Sequence, residues 1–487
     1  MPKRKQVSTP AEESDLSPPP DGLLDVAHTD SEDGRPAKKR GRGKKAKSKI
    51  KTETQQAVSQ EQALDKEGNA AGKKSKKTRQ SKAEKEAKLV EMPLAQRTVG
   101  HKLYIGAHVS AAGGVHQSVL NSVHIGANAF ALFLKSQRKW ANPPLQDDHC
   151  DTFQKRCENL KYDQAQHIVP HGSYLVNLAH TDKSRTEQAY ESFLDDLKRC
   201  EKLGIGLYNF HPGNDQCGDR PKSIAHLASN INKAHHETNS VVVLLENMAA
   251  GGNVLGSTFE DLRDIIALTH DKDRVGVCLD TCHAFAAGYD LRTPEAFKQT
   301  LNHFEDTVGF KYLRAMHLND SKAPFASNRD LHANIGTGFL GLRGFHNLVN
   351  EPRLAGLPLV LETPIEVRDE SGELVKDEKG KAKEDKGIWA REIKMLEGMV
   401  GMDVESEEFL EMDQRLAKQG EPERNRLEEQ VTRKARERAE KAEKAERNPK
   451  KGGERGNARA AKVLEGSGLS EAENNRSESN MEEGSDR

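Results

Sequence analysis

From Lys102 onward the chain repeats one arrangement: an apolar run of strand length, then a segment of helical periodicity, at intervals of a few tens of residues. Eight such runs are present, at residues 103–107, 129–134, 167–169, 207–210, 241–245, 275–279, 312–316 and 357–361. Between them lie amphipathic segments such as residues 185–203, with Phe193, Leu194, Leu197 and Cys200 on one face, and residues 259–269. Strand and helix in alternation demand a parallel sheet with right-handed crossovers. Eight units in about 300 residues is the arithmetic of a closed α/β barrel, the (β/α)8 or TIM barrel. A doubly wound open sheet is the alternative.

The residue that ends each run constrains the chain further. Residues 275–290 read Val-Gly-Val-Cys-Leu-Asp-Thr-Cys-His-Ala-Phe-Ala-Ala-Gly-Tyr-Asp, so an apolar strand stops on Asp280 and His283 follows in a small-residue turn. Taken alone, Asp280 reads equally well as a helix N-cap and His283 as a packed turn residue. The other runs end near His108 and at His171, His211, Glu246, His317 and Glu362. In a parallel barrel all these ends meet at one rim, where barrel active sites lie. A single histidine at a strand end is more often a hydrogen-bonded structural residue, but so many independent ends supplying ligand types argue against that. After the seventh run, Asp330 and His332 stand two apart, which puts both side chains on one side of an extended segment.

Nine candidate ligands result: His171, His211, Glu246, Asp280, His283, His317, Asp330, His332 and Glu362. A zinc site uses about three or four protein ligands, so the set serves two or three ions if a carboxylate bridges. Mixed imidazole and carboxylate donors suit zinc or manganese better than calcium or magnesium. Clustered divalent ions are the usual apparatus for displacement at phosphorus, which makes a phosphodiester the expected substrate. Cys278 and Cys282 offer thiolate alternatives, but the histidine and carboxylate count already suffices.

The same residues carry a resemblance. Gly-Ala-His-Val-Ser-Ala-Ala-Gly-Gly over 106–114, Phe-His-Pro-Gly over 210–213, Glu246-Asn247, residues 280–290, His-Leu-Asn-Asp-Ser-Lys over 317–322 and Leu-Glu-Thr over 361–363 resemble the endonuclease IV family of apurinic/apyrimidinic endonucleases. The resemblance spans roughly residues 100–400. It implies a barrel holding three zinc ions, with manganese admitted in one site. His171 and His211 would hold the first ion and Glu246 would bridge to the second. Asp280, His317 and Glu362 would complete the second, and His283, Asp330 and His332 the third. It implies cleavage of duplex DNA on the 5′ side of an abasic sugar, leaving a 3′-hydroxyl and a 5′-deoxyribose phosphate, and trimming of blocked 3′ ends. The catalytic carboxylates would be Glu246 and Glu362, the latter orienting the attacking water. Arg138, Tyr174 and Leu175 match positions that enter the duplex, where they would fill the gap left by an ejected abasic nucleotide. Met248, residues 250–253 and Thr337 depart from the family pattern, which bears on DNA contacts rather than on the ligands.

Composition decides what lies outside the barrel. Hydrophobic content is 34% and charged content 31%, so part of the chain is solvated. Residues 1–97 read as a disordered basic tail, 98–402 as the barrel domain with a polar, loop-like insertion at about 366–386, and 403–487 as a charged tail, disordered or a single helix, in which residues 424–447 would form an all-polar helix without a stripe to bury. Dense basic blocks at residues 38–51 and 73–79 point to nuclear import or nucleic-acid contact; mitochondrial residence is a second expectation. No apolar run approaches the roughly 20 residues of a membrane helix, and the six cysteines form no C-x-x-C pair, so a soluble intracellular monomer with reduced thiols is expected. Two other functions fit a metal-lined rim: a sugar isomerase, which needs no wedge residues or basic tail, and a non-catalytic nucleic-acid-binding protein with structural metals.

Overall fold

The computed structural model describes residues 81–369 and 373–447. Seven parallel strands form one sheet in the order Ala129–Ala131, Tyr104–His108, Pro358–Leu361, Leu313–Leu318, Val275–Asp280, Val242–Glu246 and Leu207–Phe210. Residues 168–171 close the ring, Ile168 bridging Phe130 on one side and His171 bridging Asn209 on the other. The expected (β/α)8 barrel is therefore present. Its third piece differs in one respect: His167 ends a one-turn helix, Gln164–His167, capped by Asp163. Pro170 has no N–H to give, so this segment pairs through single bridges, while its carbonyl still accepts from Asn209 N–H at 2.9 Å.

Inside the ring, Val169, Leu207, Leu244, Cys278 and Ala315 form a small apolar cluster distinct from the large core between strands and helices. Side chains alternate faces along a strand. Two positions beyond each plug residue, on the same face, stand His171, Asn209, Glu246, Asp280 and His317. The apolar plug is thus the floor, and the polar ring is the next layer up. Register keeps neighbours level, with Asp280 paired directly to His317.

Three segments differ from the composition-based picture. The basic blocks lie outside the described residues, but residues 81–97 do not behave as a tail. Ser81 and Glu84 form a reciprocal capping box for the helix Lys82–Glu91, and Glu86 on that helix meets Arg156 at 2.7 Å and Gln117 at 2.6 Å. Within the insertion, Glu366 pairs with Glu384, Arg368 with Leu374 and Lys376 with Ala382, all antiparallel. Val367, Val375 and Lys383 close a triangle of backbone bonds at 2.8–2.9 Å, so polar side chains here conceal main-chain pairing.

Past residue 403, one helix runs from Glu407 to Arg447. Up to Arg424 it belongs to the same compact unit as the barrel; the described residues from Asn425 onward belong to a second unit. Ahead of residue 424, the first part of this helix carries a stripe that the charged composition hides: Phe409 is fully buried and Leu416 nearly so. Glycine inside a helix costs about 1 kcal/mol relative to alanine, and Gly420 is explained by closeness, because a Cβ there would lie 1.8 Å from Thr337 O. The same carbonyl accepts from Arg424 Nη1 at 2.7 Å. No helix among the described residues is long and apolar enough to cross a membrane.

Candidate metal centre at the barrel mouth

Glu246 is the hub of the mouth. Fully buried at the end of its strand, it sets Oε2 at 3.1 Å from His171 Nε2 and 3.4 Å from His211 Nε2, and Oε1 at 3.1 Å from His317 Nδ1. Each oxygen therefore serves a different imidazole group. His317 Nδ1 also faces Glu362 Oε2 at 3.3 Å and Asp280 Oδ2 at 3.9 Å. On the far side, Asp330 sets Oδ2 at 3.1 Å from His283 Nε2 and Oδ1 at 3.1 Å from His332 Nε2.

All nine sequence-derived candidates converge here. Ligand atoms lie within 4.8 Å of one another in three groups, His171 with His211 and Glu246; Glu246 with Asp280, His317 and Glu362; and Asp280 with His283 and His332. A fourth group sets Cys282 beside Asp330 and His332. Burial pushes the Cys282 thiol well above its ordinary range, and its Sγ donates to Leu331 O at 3.7 Å, so it stands as a buried thiol.

The donor geometry fits metal ions. His283 Nε2 and His332 Nε2 are each 3.1 Å from an Asp330 oxygen, yet neither nitrogen has a hydrogen-bond partner, nor does Asp330 Oδ1. Donor atoms this close but not aligned for N–H···O bonding are free to share a cation. Charge pairing within the cluster governs the protonation of these groups. Burial alone would lower the imidazoles and raise the carboxyls, but opposite charges outweigh it: His283 and His317 are held well above their usual range, His332 is pushed up to about 9, and Glu246 and Asp330 sit well below the carboxylate range. A buried cluster this charged needs paired or metal-bound partners.

Asparagines and one further histidine hold the carboxylates, and the candidate set lacks them. Asn209 Nδ2 donates to Glu246 Oε2 at 2.5 Å, and Asn319 Nδ2 to Asp280 Oδ2 at 2.6 Å. Asn319 Oδ1 accepts from Glu362 N–H at 2.9 Å, so one amide ties two carboxylate residues together. Asn247 Oδ1 accepts from Asp280 N–H at 2.6 Å, and its carbonyl accepts from His283 Nδ1 at 2.9 Å, fixing the tautomer that turns Nε2 toward Asp330. His108 Nδ1 lies 3.0 Å from Glu362 Oε1. Its place at a strand end was the available signal.

Loops around the mouth display the other three candidates. Arg138 is exposed, as are Tyr174 at 50% and Leu175 at 40%, with Trp140 beside Arg138 in sequence. The Tyr174 ring stands 5.3 Å from that of His171 and 5.5 Å from that of His211.

A family model for xylose isomerase-like TIM barrels matches residues 120–397. Apurinic-apyrimidinic endonuclease 1 of Saccharomyces cerevisiae is 49% identical over 284 residues, covering 58% of this chain and 77% of the relative. The chain belongs to the endonuclease IV family of apurinic/apyrimidinic endonucleases. The Schizosaccharomyces pombe protein of the same name is 44% identical over 324 residues, 66% of this chain and 90% of its own. Endonuclease IV from Thermus thermophilus superposes with a TM-score of 0.50 at 30% identity, covering 60% of this chain and 98% of that one. The family match ends at residue 397, ahead of the helix that begins at Glu407.

Proposed function

We propose that the protein is a zinc-dependent apurinic/apyrimidinic endonuclease of base excision repair. It hydrolyses the phosphodiester 5′ to an abasic site in double-stranded DNA, leaving a 3′-hydroxyl and a 5′-deoxyribose phosphate, and trims blocked 3′ ends. The observation that carries this reading is the shared carboxylate, Glu246, whose two oxygens face separate ligand groups at the barrel mouth. His171, His211 and Glu246 would hold one zinc, Glu246, Asp280, His317 and Glu362 a second, and His283, Asp330 and His332 a third, with manganese admissible in one. Ions so held supply positive charge for the phosphoryl and leaving oxygens and acidify water.

The chain's own residues do the rest. Glu362, held at Oε1 by His108 Nδ1, keeps Oε2 toward the mouth, where it orients the attacking water and takes up its proton. Water oxygen joins phosphorus as the bond to the 3′-oxygen of the upstream nucleotide breaks, and that oxygen leaves as the 3′-hydroxyl. Arg138, Tyr174 and Leu175 fill the base stack while the abasic nucleotide swings out, a movement that costs least where the base is missing. The basic blocks upstream of residue 80 import the protein into the nucleus, with mitochondrial residence second, and the protein acts as a monomer.

A duplex oligonucleotide with one tetrahydrofuran site is the direct assay. The zinc-loaded protein is expected to cut it on the 5′ side, and Glu362→Gln to bind it unchanged without cutting. An intact substrate, or turnover of free sugars instead, would overturn the proposal.

A further inference from the structure

Two loops at the mouth carry exposed side chains, one with Arg138 and Trp140, the other with Tyr174 and Leu175. They leave different barrel strands. One buried hydroxyl joins them: Ser173, 8% exposed, donates from Oγ to Gln137 O at 2.8 Å and accepts there from Leu175 N–H at 3.2 Å. A serine hydroxyl has a single proton, and this one is used across the loops rather than within its own turn.

The Tyr174 ring also rests on those of Phe133, His171 and His211, and the other hydrogen bonds of the two loops are local or lead back to the barrel. In the first, Lys135 Nζ donates to Ser192 O at 2.6 Å and faces Asp195 at 2.9 Å and Asp196 at 3.3 Å. Asn142 closes its turn by accepting from Ser136 N–H at 3.0 Å and donating to Lys139 O at 2.8 Å. The second loop starts at His171, whose Nδ1 donates to Gly172 O at 2.7 Å. Among the described residues, the side-chain hydrogen bond joining residues 136–142 to residues 172–176 is that of Ser173.

We propose that Ser173 is a positioning residue that locks the Arg138 loop to the Tyr174 and Leu175 loop, in fixed register with His171, so that the two enter DNA as one wedge. The inference rests on the endonuclease reading. Two independent loops would each lose conformational freedom on entering the duplex, whereas a locked pair has already lost it. A wedge of fixed width also matches the gap left by a missing base better than an intact stack, so the lock contributes to discrimination and not only to affinity.

The test uses the full-length, metal-loaded protein in a Glu362→Gln background, which binds without cutting and serves as the wild type for Ser173, and fluorescence anisotropy with two duplexes of one sequence, intact or bearing a single tetrahydrofuran site. Ser173→Ala is expected to bind the tetrahydrofuran duplex about tenfold more weakly, the equilibrium worth of one well-placed hydrogen bond. Affinity for the intact duplex and metal content should stay at wild-type values. Ser173→Thr, which keeps the hydroxyl, should restore discrimination. Ser173→Cys, which keeps the volume without a strong donor, should match the alanine variant and serves if alanine does not fold. If wild type discriminates and the alanine and cysteine variants do so equally well, the lock is overturned while the endonuclease reading stands. Loss of metal in those variants would likewise overturn the lock, placing Ser173 in the support of His171. Equal wild-type affinity for both duplexes would overturn the endonuclease reading itself, and the lock with it.

Discussion

Glu392 offers a quantitative check on how the mouth is supported. It is buried on the helix Gly387–Gly398, where Oε2 accepts from Thr363 Oγ1 at 2.5 Å and Oε1 from Ile335 N–H at 2.8 Å and Asn334 Nδ2 at 3.1 Å. Thr363 follows Glu362, and Asn334 lies two residues beyond His332, so one carboxyl ties the helix to both ligand-bearing segments. Burial pushes this carboxyl up to about 7 against the three donors, with Asp320 adding to the rise. The folded value is thus above the 4.5 of an unburied glutamate. A raised folded value favours the native state fully below about pH 4.5, and that contribution is lost as pH rises through about 7; at 1.36 kcal/mol per tenfold it amounts to about 3 kcal/mol. Glu392→Gln keeps an uncharged acceptor at every pH. Urea denaturation of both proteins from about pH 5 to about pH 8 should therefore show wild type losing about 2–3 kcal/mol relative to the variant. Other titrating groups, and metal release at the acid end, act alike on both and cancel in the difference. Parallel stability curves would refute the buried, proton-binding role of Glu392.

Further predictions concern the ligands and the termini. Glu246→Gln is expected to lower bound metal by more than one ion per chain, and Asp330→Asn by about one, with secondary structure kept; equal losses measured by elemental analysis would remove Glu246 from its shared position. Phe409→Ala should cost about 3–5 kcal/mol in urea denaturation, as a buried ring does; a change under about 1 kcal/mol would show that the C-terminal helix does not pack on the barrel. Deleting residues 1–80 should reduce nuclear accumulation of a fluorescently tagged protein and leave cleavage intact. Unchanged localisation would rule out import through the basic blocks.

The ring of ligands is legible in the sequence because strand geometry writes it there. Period two places His171, Glu246, Asp280 and His317 on the face of the apolar plug beneath them, and each apolar run visibly stops at such a residue. Asn209, Asn247 and Asn319 are invisible by the same logic, since such an asparagine looks like ordinary loop chemistry until its amide is seen against a carboxylate, or, for Asn247, against the backbone of Asp280. The segment 168–171 is found by its apolar content but misjudged at its start, because Pro170 limits pairing. Composition misleads most where few residues decide. Phe409 and Leu416 are a thin stripe in a highly charged segment, the helix Lys82–Glu91 reads as solvated lysine and glutamate, and the pairing within residues 366–386 runs through the main chain, with Asp369 and Asp377 accepting at its turns.

The seat of Gly420 on Thr337 O has a practical consequence for anyone handling the protein. A chain cut at residue 403, where the charged stretch begins, would uncover apolar surface beside Gly336, which now faces Leu416, and would leave the Thr337 carbonyl without Arg424. Affinity tags, reporters and fusion partners therefore belong beyond residue 424, and a shorter product should be met with poor yield and self-association rather than with a cleaner enzyme.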